Sequence, residues 1–378
     1  MNTNNVLSNK IDFLITYYKN YKQFPKIDLS DESIKIKNQI FKLLEPKNVL
    51  HYTKKRIGNE NDGGYIFLTP FLSQLQNKQK IAYSFGISTY DPFSLEMAKN
   101  GFEVFQYDGT IDKGPYDNPQ IKFFKFNISG SISPPPNCKN FSQILNDHMH
   151  NNLDIIMQID IENHEWDFIE SLTHDQILQI EQINIEFHNI IISNKEEIIR
   201  QKKIFEKINK THQCIHIHAN NNSNVCILND FSFLPETLEV TYVRKINTID
   251  QKYQYEFTDC YDEFPIDKLD APCCSSITDI YIGKFIQNLY QSETIHEITE
   301  DSFITNIIFL IIEKFKLSNI IITDHKYYLL SSSTNNYFSI IKRRRILIGL
   351  KIIITTIFPE RSLIYRFLKK LKKIFNKW

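Results

Sequence analysis

The feature that most constrains this chain is an alternation. From about residue 48 to residue 243, short apolar runs bounded by turn residues trade places with stretches of helical periodicity. The runs predict strands at Tyr65–Leu68, Ile81–Phe85, Glu103–Tyr107, Ile121–Phe126, Ile155–Ile161, Gln182–Phe187, Cys214–His218 and Leu238–Val243. Helices are predicted between most of them, at Phe93–Asn100, Phe141–His148, Trp166–Leu172 and Glu196–Lys207. Parallel strands need long crossovers, usually helical, so this order of elements implies a mainly parallel sheet with helices packed on it. The expected fold class is α/β, with a three-layer α/β/α, Rossmann-like domain over residues 48–275.

Around that domain the sequence predicts extensions. Residues 1–47 read as two helices, Lys10–Lys22 and Ser30–Leu44, the second opening on a Ser-Asp-Glu-Ser cap signal and stopping at Pro46. Residues 276–340 read as a small mixed α/β extension, and residues 341–378 as a basic amphipathic tail. The 44 Lys and Arg residues balance 44 Asp and Glu. Twelve of the basic residues but only one acid, Glu360, fall in 341–378, so a tail of about +11 follows a body of about −11. An acidic body opposes phosphate binding, so no nucleic-acid partner is expected. The polar opening Met1–Lys10 lacks an apolar signal core, and the apolar run Ile346–Phe358 is broken by Lys351. The six cysteines form no Cys-x-x-Cys pair. These features predict a reduced, cytoplasmic location.

Glycine is scarce, and its placement is informative. Eight of ten glycines lie between residues 58 and 130, where a chain sparing with glycine keeps it for positive φ or close backbone approach. The unit Ile81-Ala-Tyr-Ser-Phe-Gly86, a helix, and Glu103-Val-Phe-Gln-Tyr-Asp108-Gly109 is a strand, glycine turn, helix, strand and acid. A carboxylate at the end of the second strand can accept ribose hydroxyls. A dinucleotide site asks for Gly-x-Gly-x-x-Gly, whereas here a single glycine is followed by Ile87, Ser88, Thr89 and Tyr90. S-adenosylmethionine (SAM) has no phosphate and needs only one close backbone approach and the ribose acid. Asp108 can alternatively be a plain strand-end turn residue.

Histidine also clusters, with eight of eleven between His148 and His218. Period-2 alternation is expected to put Asp160 and Glu162 on one side of a strand end. The next strand ends in Glu186 and His188, and the one after in His216 and His218, followed by Asn220 and Asn221. Carboxylates on apolar strands are costly unless they share a polar cleft. Two chemistries fit: general-base catalysis by His188 or His218, or a divalent metal held by Asp160, Glu162, His188 and His218. A structural hydrogen-bond network is the third possibility.

These residues resemble the FkbM-type branch of class I SAM-dependent methyltransferases, in particular a group with a D-G-G-Y motif. The matching pieces are Arg56-Ile-Gly-Asn-Glu-Asn-Asp62-Gly63-Gly64-Tyr65, Tyr83-Ser-Phe-Gly86-Ile, Tyr107-Asp108-Gly-Thr-Ile, Gln158-Ile-Asp160-Ile-Glu162, Ile185-Glu186-Phe-His188, His216-Ile-His218-Ala-Asn220-Asn221, Glu239-Val-Thr-Tyr-Val-Arg244 and Leu269-Asp270-Ala-Pro272. The chain departs from the group's pattern at Asn163, where glycine is frequent, and at Cys273, where asparagine is common.

The resemblance implies a seven-stranded sheet whose last strand is antiparallel, with SAM over the first strands. It places Asp62, Gly63, Gly64, Phe85, Gly86, Asp108, Gly109 and Asp160 at the cofactor. Asp160, Glu162, His188 and His218 become candidate catalytic residues, and Glu186, His216, Asn220 and Asn221 candidate substrate contacts. The implied activity is O-methylation of a sugar or surface-glycan precursor. Two other functions stay open: a catalytically inactive, membrane-associated assembly module and an NAD-dependent oxidoreductase. In the tail, Phe367, Leu368, Leu371, Ile374 and Phe375 fall at helical spacing opposite lysines. That pattern suits an anionic membrane surface, giving a peripheral position on the inner face, and equally a helix packed on the acidic body.

Overall fold

The computed structural model describes residues 30–71, 78–190, 194–227, 233–245, 255–276, 279–280 and 282, and three strand segments at 320–323, 326–330 and 337–340. The predicted helix Lys10–Lys22 and the basic tail 341–378 lie outside the described residues. The chain divides into two compact units, Met1–Phe303 and Ile304–Trp378. The described part of the second is an antiparallel sheet of Ile320–Thr323, Lys326–Leu330 and Tyr337–Ile340. No helix among the described residues is long and apolar enough to cross a membrane.

The first unit is organised by a seven-stranded sheet. Its strands are β1 (Ile81–Phe85), β2 (Glu103–Tyr107), β3 (Ile121–Phe124), β4 (Ile155–Ile159), β5 (Ile180–Phe187), β6 (His212–Ala219) and β7 (Leu238–Arg244), in the order 3-2-1-4-5-7-6. The first five are mutually parallel, while β7 runs antiparallel to both β5 and β6. This is a mostly parallel sheet with its last strand reversed, as expected. The predicted strand Tyr65–Leu68 is not part of it. It belongs to Gly64–Thr69, which pairs with Thr53–Gly58 in a hairpin of its own. Its apolar run looked like a sheet strand because the hairpin packs on the sheet: Ile57, Tyr65 and Phe67 are buried with Ala82, Phe93 and Ile156.

The helices follow from local signals. Helix α1 (Asp31–Leu43) is capped by Ser30, whose hydroxyl accepts from the Ser33 amide. Helix α2 (Pro92–Lys99) starts with proline, which has no amide to leave unsatisfied, and its cap is Asp91. Helices α3 (Phe141–His148) and α5 (His174–Gln179) open on reciprocal capping boxes, Asn140 with Gln143 and Thr173 with Gln176. Helix α4 (Glu165–Ser171) carries acids in its first turn, and α6 (Lys195–Asn209) is capped by Asn194. The short α5 escaped sequence reading, because one turn and a half of helix shows too little periodicity.

β1 is buried at all five positions, and its aromatic side chains set the core. The Phe85 ring meets Tyr107, Phe141 and Phe168 edge-on at centroid distances of 5.6, 6.3 and 5.6 Å, a favoured arrangement of ring quadrupoles. The side chain expected to line the cofactor is therefore a core residue.

Candidate functional site

The strand order reverses between β1 and β4, and in open parallel sheets a crevice forms at such a point, beyond the carboxyl ends of the strands. Here those ends carry Gly86 and Asp160. The Asp160 amide donates to the Phe85 carbonyl at 2.9 Å, and the Gly86 amide to the Tyr107 carbonyl at 3.0 Å. Gly86 has φ +74°, and a Cβ there would lie 1.5 Å from the Asp160 carbonyl oxygen. Only glycine allows the two strand ends to come this close.

Asp108, at the end of β2, faces the same turn. Its Oδ2 accepts from the Ile87 amide at 3.0 Å, and its Oδ1 from the Thr110 amide and hydroxyl at 2.6 and 2.5 Å. A carboxylate has about four acceptor positions, so three are used and one remains. The turn-residue role and a ligand role are thus compatible in one side chain.

The crevice is a cleft of about 1120 Å³, lined among others by Asp62, Gly63, Tyr65, Gly86, Ile87, Asp108, Thr110, Gln158, Asp160 and Glu162. Its lining contains seven acids, the others being Asp91, Asp167 and Glu170, and neither lysine nor arginine among the described residues. Of these, Asp91 is committed to the fold: it caps α2 and accepts from the Gln106 amide group at 2.6 Å. Asp62 is carried by the hairpin turn, which Arg56 stitches by donating to the carbonyls of Asn59 and Asn61 at 2.7 and 2.8 Å. Burial, then the charges of Glu239 and Glu162, raise the Asp62 carboxyl above its ordinary range. Gly64 begins the second hairpin strand and Gly109 packs on the Asn127 side chain.

Beside the cleft-lining Asp160 and Glu162 a second group gathers around His188. Its Nε2 lies 3.4 Å from Glu162, 3.7 Å from Glu186 and 3.9 Å from Asp160, while Nδ1 lies 3.2 Å from Glu165. Glu165 also accepts the His188 amide at 2.7 Å, so one fully buried carboxylate fixes both the backbone and the ring. Burial and then the neighbouring carboxylates Glu162 and Asp62 push Asp160 up to about 7, against the pull of His188. Burial, Asp160 and Glu239 hold Glu186 well above the carboxylate range. Burial disfavours charge on His188, but the hydrogen bond and charge of Glu165, then Asp160 and Glu162, outweigh it and raise the imidazole.

Asp160 and Glu162 do converge, but not by strand alternation. β4 stops at Ile159, and Glu162 and Asn163 adopt left-handed backbone conformations with φ of 50° and 78°. A turn brings the two carboxylates together. It also accounts for Asn163 at a position where glycine is frequent, since asparagine tolerates this region best among the other residues; its side chain is hydrogen-bonded by Asn189.

The remaining histidines do not share the site. His218 is buried, with Nδ1 3.0 Å from Glu239 and Nε2 3.0 Å from Asp279. Burial opposes its charge, but Asp279 and Glu239 raise it well above the ordinary histidine value. Both nitrogens are occupied, so it is not placed to accept a substrate proton. The four-residue metal set expected from sequence is split: Asp160, Glu162 and His188 form one group, and His218 joins Glu239 and Cys273 in another. His216 is likewise buried, 2.7 Å from Asp270. Asn221 exchanges hydrogen bonds with the Cys274 backbone at 3.0 and 2.8 Å. These contacts tie Asp270, Cys274 and Asp279 over the ends of β6 and β7, so His216 and Asn221 are clasps rather than open substrate contacts. Asn220 instead donates to Glu186 at 2.7 Å. His148 and His150 bond the hydroxyls of Tyr107 and Tyr83 at 2.7 and 2.8 Å. A cluster in sequence is therefore dispersed in space.

Sequence reading missed Glu165, Glu239 and Asp279. Glu239 carried a usable signal, a carboxylate inside an apolar strand, which is what singled out Glu186. Glu165 stands just before the predicted helix Trp166–Leu172, and nothing in the sequence sets it apart from the neighbouring acids.

No protein-family profile matches the chain, and no curated protein matches it. Among solved structures it is similar to a presumed RNA methyltransferase from Pyrococcus horikoshii, at 12% identity and a TM-score of 0.25, over 46% of this chain and 80% of that one. A likeness of that size is too small to bear on the function of this chain.

Proposed function

We propose that the chain is a SAM-dependent methyltransferase acting on a hydroxyl of a sugar or surface-glycan precursor. The observation that carries this is the charge of the switch-point cleft: seven acids, of which only Asp167 and Glu170 pair with an arginine, Arg200, and no lysine or arginine among the described lining residues. A dinucleotide would bring a pyrophosphate, and a nucleic acid its backbone, against these carboxylates. SAM brings a sulfonium and an ammonium against a single carboxylate, a net positive charge, and a neutral polyol adds no opposing charge. The acceptor class comes from the sequence resemblance.

Asp108 has one acceptor position left for a ribose hydroxyl, and Gly86 and Ile87 line the same cleft. Bound SAM supplies a methyl group on a positively charged sulfur. The chain's part is to align the acceptor oxygen with that carbon and to receive the hydroxyl proton. In the transfer the O–H bond breaks, an O–C bond forms, the C–S bond breaks and its electron pair stays on sulfur. The proton passes to a carboxylate oxygen of Asp160 or Glu162, which line the cleft.

Isothermal titration calorimetry tests the assignment. SAM is expected to bind the full chain at one site, and NADH not to bind. Absence of SAM binding, or SAM binding unaltered by Asp108→Ala, overturns it.

A further inference from the structure

We propose that Asp160, Glu162 and His188, backed by Glu186, form a site for a divalent first-row cation of the Mn²⁺ type at the edge of the cleft. Its role there, to polarise the acceptor hydroxyl, rests on the methyl-transfer function above; its existence does not.

Three observations carry the site. The first is donor geometry. One ligand atom each from Asp160, Glu162 and His188 gathers in one place, with Nε2 3.4 Å from Glu162 and 3.9 Å from Asp160, within the roughly 3–4.2 Å that separates atoms sharing a cation at about 2.1 Å each. Carboxylates with one imidazole suit Mn²⁺ better than a soft thiolate-seeking ion.

The second is the way the imidazole is held. The Glu165 carboxylate, 0% exposed, sits on Nδ1 and on the His188 amide. With the Nδ1 proton given to Glu165, the lone pair of Nε2 points among Asp160, Glu162 and Glu186. A buried carboxylate orienting a histidine by its far nitrogen is the outer layer that metal-binding histidines commonly carry.

The third is unspent bonding capacity. Glu186 has a side chain only 4% exposed, and its Oε2 has no hydrogen-bond partner; nor does Asp160 Oδ1. Glu186 Oε1 is committed to Asn220. Buried acceptors left unpaired are costly, and no lysine or arginine among the described residues pairs with Asp160, Glu162, Glu165 or Glu186. Four carboxylates face one imidazole, and a dication supplies the missing positive charge. The group of His218, Glu239 and Cys273 differs on this point. Both His218 nitrogens face carboxylates and the Cys273 thiol contacts Glu239 at 3.4 Å, so nothing there is left to bind.

The test is a Mn²⁺ titration of the full chain followed by electron paramagnetic resonance, without SAM or acceptor. One saturable Mn²⁺ per chain is expected. Glu162→Ala removes a ligand whose side chain is 82% exposed, so folding is not at risk, and is expected to weaken binding about tenfold or more; His188→Gln and Glu165→Gln are expected to do the same. Asp112→Ala, an exposed acid paired with Lys125, is expected to leave binding unchanged. Absence of saturable binding, or binding that Glu162→Ala and His188→Gln both leave intact, overturns the proposal. Mn²⁺ binding with no SAM binding keeps the cation site and removes the methyl-transfer function; SAM binding with no Mn²⁺ binding does the reverse.

Discussion

Replacing Gly86 with alanine tests whether the cleft depends on the near contact between the ends of β1 and β4. At Gly86 a Cβ would lie 1.5 Å from the Asp160 carbonyl oxygen and 2.5 Å from its carbon. Ordinary contact begins near 3.4 Å, so the two strand ends must part by roughly 2 Å. That movement breaks or stretches the hydrogen bonds Asp160 amide to Phe85 carbonyl and Gly86 amide to Tyr107 carbonyl, worth about 1 kcal/mol each. The left-handed φ of +74° adds about 1–2 kcal/mol for any L-residue. The sum is a loss of about 3–4 kcal/mol. Gly101 separates the two causes. Its φ is +83°, but a Cβ there would meet only the Lys80 amino group at 3.5 Å, so Gly101→Ala is expected to cost the backbone part alone, about 1–2 kcal/mol. Urea unfolding of both variants gives the difference directly, and calorimetry shows whether SAM binding falls with it. If Gly86→Ala unfolds within about 0.5 kcal/mol of Gly101→Ala, the inferred contact is wrong.

Other consequences are equally specific. Asp108→Asn is expected to weaken SAM binding by about 10- to 100-fold, the value of one charge-assisted hydrogen bond, and an unchanged dissociation constant would remove Asp108 from the cofactor site. His218→Gln removes the cation between the Glu239 and Asp279 carboxylates, so it is expected to lower stability by about 3–5 kcal/mol in urea titrations, whereas His188→Gln is expected to lower turnover far more than stability; comparable stability losses would reject the division of roles. His212 is held neutral. Its Nε2–H donates to the Ile180 carbonyl and Nδ1 accepts from Thr211, both at 2.8 Å. Burial, helped by Arg244 and Lys245, pushes its pKa down to about 3. The unfolded chain therefore binds a proton that the folded one refuses, and stability falls as pH drops from about 6.5 toward 3, by up to about 1.4 kcal/mol per unit from this group. Urea midpoints of His212→Gln against pH are expected to fall less steeply than wild type over that window, and parallel curves would refute it. Deleting residues 341–378 is expected to abolish sedimentation with anionic liposomes; equal sedimentation would reject a membrane role for the tail.

The backbone plan was legible because it rests on short-range signals. β1 and β2 begin and end where the apolar runs do, α3 where its cap and periodicity place it, and the Gly86 turn with the Asp108 carboxylate comes from one strand–helix–strand unit. Strand pairing was less so. Tyr65 carries the same apolar pattern whether its strand joins the main sheet or a hairpin against it, and only the partner at Thr53–Gly58 decides. Side-chain roles were least legible. His188 and His218 look alike in sequence, each following a carboxylate-bearing or histidine-bearing strand end. One stands beside the cleft-lining Asp160 and Glu162, held by Glu165 from the preceding helix; the other is sealed between Glu239 on the reversed strand and Asp279 on a distant loop.

The sequence by itself thus determined where strands and helices occur and which strand ends carry charge, since periodicity, caps and glycine turns act over a few residues. Only the tertiary structure decided which carboxylates share a cleft and which are spent on clasps, because burial and charge depend on neighbours that are far away along the chain.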